Sequence, residues 1–197
     1  MKLYRKFGKR TLDIVVSAAA LPFIAIIALP ISAAIKKEDG GSVFYLGERY
    51  GEDMKKFRMY KFRTMKENAP DLRNADGTTF NSETDPRLTK VGAFLRKTSI
   101  DELPQILNVF LGHMSFVGPR PSPMGNEKTY TDYVKQKFEV KPGITGLNQA
   151  VLRNKATLEE RYANDVYYAQ NLSFMMDLKI LIKTFFGVMK HENIYKS

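Results

Sequence analysis

Residues 14–35 read IVVSAAALPFIAIIALPISAAI, a run of 22 residues without one charged side chain. At about 1.5 Å per residue, an unbroken helix of this length would measure roughly 33 Å, enough to cross the hydrocarbon core of a bilayer. Pro22 and Pro30 lie inside the run, and proline removes a helical hydrogen bond and clashes with the preceding turn. The run is therefore long enough to span a membrane, but it contains two positions at which it can bend.

Basic residues flank this apolar run on both sides. Five Lys or Arg residues precede it, and Lys36 and Lys37 follow it directly. Cytoplasmic segments next to membrane helices are enriched in Lys and Arg, so both ends have cytoplasmic character. We therefore predict a re-entrant membrane anchor over residues 1–38 and a second domain at the cytoplasmic face over residues 39–197. A single span and a secretory signal peptide are the alternatives, although the apolar core of a signal peptide measures only about 7–15 residues.

The composition excludes some chemistry and points to an anionic partner. The chain of 197 residues contains no cysteine, which excludes disulfides, thiol catalysis and thiolate metal sites. Its two histidines, His113 and His191, are far apart and lack the spacing of a zinc site. The net charge of +10 favours a negatively charged partner, either nucleic acid, lipid headgroups or a phosphorylated substrate. Beside an apolar segment, anionic membrane lipids are favoured.

The rest of the chain predicts an α+β fold that is mostly helical, with one small β-hairpin. The hairpin joins two β-prone runs, residues 42–46 and 56–62, through a turn-rich connector. A polar surface loop is predicted over residues 66–87. Four helices are predicted from apolar periodicity and end signals, over residues 99–111, 130–140, 157–170 and 171–190. The last of these has many apolar residues, which suit either the protein core or an interfacial helix at the membrane.

Two adjacent carboxylates, Asp101 and Glu102, stand near the start of the first predicted helix. Ser99 and Glu102 have the spacing of a capping box, whereas Pro104 favours a cap nearer to Asp101. In either register the carboxylates lie at a helix N-terminus, where backbone N–H groups and the helix dipole favour negative charge. One interpretation is a capped helix with an acidic first turn. The other is an ionised nucleophile beside a second carboxylate that binds a metal or acts as a base.

Several basic motifs accompany the carboxylates. Residues 60–65, YKFRTM, alternate cations with neutral residues, so that Lys61 and Arg63 share one face of a strand. A stiff turn over residues 118–121, GPRP, holds Arg120 in a fixed direction, and a guanidinium suits phosphate oxygens. Each motif also has an ordinary interpretation, as an edge strand or a connector. Two weaker candidates for phosphate or nucleotide contacts are the segment 141–146, KPGITG, and the group Arg153, Arg161 and Asp165.

In this order along the chain, the motifs resemble those of the bacterial sugar transferases, in the small form of the monotopic phosphoglycosyl transferases of the polyprenol-phosphate pathway. The resemblance runs over nearly the whole chain, and residues 101–105 (DELPQ) and 118–121 (GPRP) are its most specific parts. Members of this family usually have a Ser-Pro pair near the middle of the membrane segment. This chain departs from that pattern, because its prolines are Pro22 and Pro30, each preceded by leucine.

The resemblance implies transfer of a sugar 1-phosphate from a UDP-sugar to undecaprenyl phosphate, with release of UMP, at the cytoplasmic face of the bacterial inner membrane. Asp101 would attack the β-phosphorus and form a covalent aspartyl-phosphosugar intermediate. Glu102 would help to hold Mg²⁺ or activate the lipid phosphate, so Asp101 and Glu102 are also the expected metal ligands. The residues expected to bind substrate or phosphate are Lys61, Arg63, Arg96, Arg120, Thr145, Gln149, Arg153 and Asp165. The alternatives are a membrane-anchored nucleic-acid-binding protein and a non-catalytic scaffold; the transferase itself is expected to have no nucleic-acid partner.

Overall fold

The apolar run lies within one long helix, α1 (Lys9–Asp39), which follows a π-helical turn at Tyr4–Gly8. The computed structural model describes residues 3–72, 80, 82, 84–152 and 156–189. Within these residues, Tyr4–Asp39 is the only helical segment long and apolar enough to cross a membrane. The helix continues through Pro22 and Pro30. Neither proline ends it, and the re-entrant course stays a prediction.

The predicted hairpin is confirmed. Strands β1 (Phe44–Tyr50) and β2 (Lys56–Phe62) are antiparallel, with Phe44 opposite Phe62. A short strand from later in the chain, Ser122–Pro123, pairs with the other side of β1. The sheet therefore has β1 at its centre and β2 at one edge.

A parallel pair of strands brings together the two motifs that contain both glycine and proline, residues 118–121 and 141–146. β3 (Ser115–Val117) pairs with the segment Gly143–Thr145, which was not predicted. We number the short strand at Ser122–Pro123 as β4 and the strand at Gly143–Thr145 as β5. A Cβ atom on Gly118 would lie 2.3 Å from the carbonyl oxygen of Lys141. Glycine is therefore required where the two backbones approach most closely.

Further helices complete the α+β, mostly helical fold, whose predicted class is confirmed. They are α2 (Lys90–Thr98), α3 (Gln105–Leu111), α4 (Asp132–Lys135), α5 (Leu147–Val151), α6 (Leu158–Asn171) and α7 (Phe174–Met189). The helix predicted from residue 157 is present as α6, which begins with a capping box between Thr157 and Glu160. The helix predicted over residues 130–140 is shorter, because α4 passes into a 3₁₀ turn at Gln136–Glu139. A core that includes Tyr168 packs α6 and α7 against β3.

The helix predicted over residues 99–111 is divided, and that prediction is wrong. α2, which was not predicted, ends at Thr98, and Ser99 adopts left-handed backbone with φ at 58°. A 3₁₀ turn follows at Ile100–Glu102, and α3 begins only at Gln105. The predicted capping box does not form, because Ser99 is the C-cap of α2 and its side chain makes no cap bond to the turn.

The predicted surface loop over residues 66–87 lies only partly within the described residues. At its end, Asp85 and Arg87 form a buried ion pair with 2.6 Å between their charged atoms. Arg87 also donates hydrogen bonds to the carbonyl oxygens of Pro70 and Phe80. Arg87 therefore ties the described parts of this segment together.

One side of α7 presents apolar side chains to the surroundings of the protein. Asp177 and Ile180 are buried on the inner side. Large apolar side chains are exposed along the rest of the helix, namely Phe174, Met175, Leu178, Leu181, Ile182, Phe185 and Phe186. A continuous apolar stripe on a helix surface is typical of a membrane interface. Of the two interpretations of this segment, the interfacial helix agrees better with the structure.

Polar contacts fasten the N-terminal end of α1 to the rest of the protein. The Asp13 carboxylate accepts hydrogen bonds from the Ser115 hydroxyl at 3.0 Å and from the Phe116 N–H at 3.1 Å. Lys9 forms an ion pair with Asp177 of α7, at 2.6 Å. These contacts are largely withdrawn from water, where hydrogen bonds are electrostatically stronger. They fix the direction in which α1 leaves the protein body.

The C-terminal end of α1 is fastened to the same body. Glu38 accepts a hydrogen bond of 2.6 Å from the N–H of Lys90, at the start of α2. Asp39 holds Arg63 in a two-pronged ion pair with N–O distances of 2.5 and 2.6 Å. Near its middle the helix is largely exposed, and Phe23 is 69% exposed. The protein body therefore holds α1 at both ends and leaves its middle uncovered.

Candidate active site

Asp101 and Glu102 lie in the 3₁₀ turn between α2 and α3. The left-handed Ser99 redirects the chain after α2, and Pro104 stands directly before α3. Proline suits the start of a helix, because its missing N–H would have no partner there. The turn leaves Asp101 only 8% exposed. A carboxylate buried to this degree needs positive charge nearby.

Three cations from different elements surround the two carboxylates. Lys61 of β2 donates a hydrogen bond to Glu102 Oε1 at 2.5 Å, and Arg120 donates to the same oxygen at 3.3 Å. Arg96 of α2 lies close enough to Asp101 to favour its ionised form. Five of the predicted site residues are thus brought together. We call Lys61, Arg96, Asp101, Glu102 and Arg120 the carboxylate–cation cluster.

The pKa values of the two carboxylates move in opposite directions. Burial raises the pKa of Asp101, and the charge of Glu102 adds to this, against the opposing effect of the three cations. Burial also acts on Glu102, but Lys61 and Arg120 outweigh it and lower its pKa to about 2. Paired carboxylates with separated pKa values are typical of catalytic sites, because each can then take a different role.

Asn108 sets the register between the carboxylates and Lys61. It is fully buried in α3, where its side-chain oxygen accepts a hydrogen bond from the Tyr60 N–H at 2.9 Å. Its side-chain nitrogen donates to the Arg58 carbonyl at 2.7 Å. Both partners belong to β2, the strand that carries Lys61. Asn108 was not among the predicted site residues. The available signal was a polar residue directly flanked by apolar residues in a short helix.

Arg63, one of the predicted phosphate ligands, lies outside this cluster. Arg63 follows directly after β2, and its guanidinium is engaged by Asp39 and by the carbonyl oxygens of Ser42 and Met65. Arg63 therefore fastens the end of α1 and is buried. Arg153 lies outside the described residues.

Thr145 and Gln149 lie near each other along the chain, around β5 and α5. The Thr145 hydroxyl is 2.6 Å from the hydroxyl of Thr184 in α7. Both polar atoms of the Gln149 side chain are buried, and neither has a hydrogen-bond partner among the residues that the structure describes. Buried polar groups are nearly always paired, and an exception requires an explanation. An arriving ligand that pairs this amide would provide one.

Asp165 belongs to a buried network between α5 and α6. Lys137 donates a hydrogen bond to one carboxylate oxygen at 3.0 Å, and Asn148 donates to the other at 2.9 Å. The side chains of Lys137 and Asp165 are only 5% and 7% exposed. Burial raises the pKa of Asp165, and Lys137 opposes this effect. These contacts connect α6 to α5 and to the 3₁₀ turn at Gln136–Glu139, and a role of Asp165 in substrate binding stays a prediction.

The chemistry of the carboxylates suits a magnesium ion that is shared with phosphate. Mg²⁺ is usually bound through one or two carboxylates, while water and substrate phosphates complete its octahedron. Asp101 and Glu102 offer two such carboxylates. Over the described residues, no group of three or more His, Cys, Asp or Glu is placed to hold a metal. Phosphate oxygens and water would have to supply the remaining ligands.

Comparison with curated proteins finds relatives of known type. The chain is 39% identical over 201 residues to the UDP-galactose-lipid carrier transferase of Erwinia amylovora, covering 96% of this chain and 42% of that protein. It is 38% identical over 195 residues to the UDP-glucose:undecaprenyl-phosphate glucose-1-phosphate transferase of Klebsiella pneumoniae, covering 95% of this chain and 41% of that protein. The chain therefore spans less than half the length of these relatives.

A shorter relative and a family profile agree with this result. The chain is 41% identical over 189 residues to a protein of Bacillus subtilis named as an uncharacterized sugar transferase, EpsL, covering 96% of this chain and 91% of that protein. The sequence profile described as bacterial sugar transferase matches residues 4–191. The resemblance drawn from the motifs is therefore confirmed, and the chain belongs to the bacterial sugar transferase family.

Proposed function

We propose that the protein transfers a sugar 1-phosphate from a UDP-sugar to undecaprenyl phosphate, at the cytoplasmic face of the bacterial inner membrane. The observation that carries this proposal is the buried Asp101 beside Glu102, within the carboxylate–cation cluster. Catalysis of phosphoryl transfer depends mainly on positioning and on positive charge around the phosphate. The relatives from E. amylovora and K. pneumoniae are named for transfers of this class.

The proposed reaction has two displacements at one phosphorus atom. In the first, an oxygen of the Asp101 carboxylate attacks the β-phosphorus of the UDP-sugar, and the bridging oxygen leaves with UMP. In the second, an oxygen of the polyprenyl phosphate attacks the resulting aspartyl-phosphosugar, and the Asp101 carboxylate is released. One phosphoanhydride replaces another, so the overall reaction needs no further source of energy.

The neighbours of Asp101 have distinct parts in this proposal. The side chain of Arg120 is 58% exposed, so it can turn from Glu102 to an incoming phosphate. Lys61 is held more deeply and keeps Glu102 in place. Glu102 and Asp101 would hold Mg²⁺, which when bound neutralises diphosphate charge. Positive charge fixed before the substrate arrives stabilises the transition state without further rearrangement.

The assay of the proposed function is the release of UMP. Purified protein is expected to form UMP from a UDP-sugar only when polyprenyl phosphate is present, apart from a first burst without acceptor that reflects the aspartyl-phosphosugar. A panel of UDP-sugars would identify the donor. Absence of UMP with every donor, from protein that is folded and in lipid, would contradict the proposal.

We also propose that α1 enters and leaves the membrane from the cytoplasmic side. The polar contacts of Asp13 and Asp39 with one protein body support this course. The exposed apolar middle, around Phe23, needs lipid as its surroundings. A simple span would carry the basic N-terminus to the far side, away from the body to which it is fastened.

This topology predicts same-side labelling of both ends of α1. The chain contains no cysteine, so single cysteines can be placed at Lys6 and Lys37, with one at the exposed Asp132 as reference. A membrane-impermeant maleimide applied to intact cells is expected to label none of the three until the inner membrane is permeabilised. Labelling of Lys6→Cys alone in intact cells would establish a full span.

The raised pKa of Asp101 predicts an acid limit to the first displacement. Asp101 must lose its proton to attack, so the UMP burst is expected to decrease as the pH is lowered. The midpoint of this decrease should lie above about 3.9, the ordinary pKa of Asp. Glu102, with a pKa of about 2, stays ionised and does not set this limit. Glu102→Gln removes a like charge, which lowers the pKa of Asp101, and the limit of the residual burst should move to lower pH. An unmoved limit would show that another group titrates.

A further inference from the structure

An apolar groove lies between the second half of α1 and helix α2. Its volume is about 470 Å³, and it is lined by Pro30, Ile31, Ala34, Val91, Phe94 and Leu95. Phe94 is 60% exposed although it is a large aromatic side chain. A groove of this volume falls within the range of about 300–1,000 Å³ that small-molecule sites occupy.

The floor of this groove leads to the carboxylate–cation cluster. Leu95 belongs to a small core with Ile35 and Phe62, against which Ile100 is packed. Ile100 directly precedes Asp101 in the 3₁₀ turn. The apolar surface therefore continues along α2 to the residue next to the candidate nucleophile.

Helix α2 also places a positive charge near Asp101. Arg96 follows Leu95 in the helix and acts electrostatically on Asp101. A molecule that lies in the groove along α2 can thus contact apolar side chains and, next to Leu95, the positive charge of Arg96. An acceptor with a phosphate head and a hydrocarbon tail has this division of properties.

The lining of the groove favours an apolar occupant. Among the described residues, Lys90 is the one charged residue that lines it, and the backbone N–H of Lys90 is already bound by Glu38. Apart from the Lys90 ammonium, a sugar or nucleotide would find few partners there to replace its hydrogen bonds to water. A hydrocarbon chain loses none, and its burial is favourable.

We propose that this groove binds the isoprene units nearest to the phosphate of the polyprenyl phosphate acceptor. This inference rests on the proposed function, which supplies the acceptor. The groove holds the first part of the chain beside α2, while the remainder stays in the bilayer. Binding energy from this remote part of the substrate would hold the lipid phosphate in position for the second displacement.

Kinetics can separate this role from general membrane affinity. Phe94→Ala is expected to raise the KM for polyprenyl phosphate by roughly tenfold. The KM for the UDP-sugar and the UMP burst without acceptor should stay unchanged, because the groove takes no part in the first displacement. Phe186→Ala is the matched control, since Phe186 is an exposed aromatic residue on α7 that does not line the groove. It should leave all three quantities unchanged.

A second variant and a direct binding measurement make the test independent of turnover. Ala34→Phe should fill the groove and raise the same KM. A polyprenyl phosphate with a diazirine near its phosphate end should crosslink to the peptides of α1 and α2 that line the groove, and Ala34→Phe should abolish that crosslink. Excess phosphatidylglycerol should not displace the probe.

Three results would overturn the groove assignment. They are crosslinks confined to other helices, an equal effect of Phe186→Ala, and full displacement of the probe by phosphatidylglycerol, which would identify an ordinary acyl-chain site. A crosslink in the groove without any UMP release would have a different meaning. It would retain the lipid site while rejecting the proposed transfer reaction.

Discussion

Asp101→Asn is expected to reduce sugar-phosphate transfer by roughly three orders of magnitude or more, as removal of a covalent nucleophile does in other enzymes. Asparagine has nearly the same shape as aspartate, but its amide does not attack phosphorus. The carboxylate is 8% exposed and its pKa is raised by burial. A neutral amide at this position therefore costs no more to bury than the charged group it replaces.

Stability and the covalent adduct distinguish this effect from misfolding. Thermal unfolding of Asp101→Asn should occur at or above the temperature of the unmodified protein. Single-turnover reactions analysed by mass spectrometry should show a phosphosugar on Asp101 in the unmodified protein and none in the variant. Asp53→Asn is a matched control in an exposed turn between β1 and β2, and it should leave activity unchanged. Full turnover by Asp101→Asn would remove the nucleophile assignment.

Lys137→Met should destabilise the fold by about 3–5 kcal/mol, the usual cost of removing one partner of a buried ion pair. Lys137 and Asp165 are both nearly inaccessible to water, so the variant leaves a carboxylate buried without its main counter-charge. For a protein of this size, the midpoint of thermal unfolding should fall by on the order of 10 °C. The exposed pair of Lys135 with Asp132 supplies the control. Lys135→Met should change stability by less than about 0.5 kcal/mol.

The pH dependence of Lys137→Met has a definite sign. Burial already raises the pKa of Asp165 in the folded protein, and loss of Lys137 should raise it further. A carboxylate whose folded pKa exceeds its unfolded pKa destabilises the fold as pH rises through that interval. The deficit of the variant should therefore shrink toward acid pH. Lys137→Met combined with Asp165→Leu should recover most of the stability at neutral pH; no recovery would place the defect in packing instead.

The elements that the sequence predicted well are those with strong local patterns. The 22-residue uncharged run, the β-prone runs of the hairpin and the amphipathic run over residues 157–170 each depend on residues close together in the chain. β3 and β5 are three residues long and pair only because Gly118 lets two distant backbones meet. Such a pairing is tertiary and leaves no local periodicity.

In the candidate site, too, local patterns predict some positions and tertiary structure decides others. Alternation along β2 predicts the side of the strand on which Lys61 lies, and the structure places Lys61 on Glu102. For Arg63 the same alternation does not hold, because β2 ends at Phe62 and the chain then turns toward Asp39. The division of α2 from α3 depends on the left-handed backbone of Ser99. Serine rarely adopts this conformation, so the sequence contains no signal for it.

Asn108 has a second consequence, for the solubility of the chain at a crowded membrane surface. β2 is an edge strand, and an uncovered edge is a template on which other chains can add strands and aggregate. The Asn108 side chain occupies the N–H of Tyr60 and the carbonyl of Arg58 on this strand. The same amide that aligns Lys61 with the carboxylates therefore also protects the sheet from edge-to-edge association.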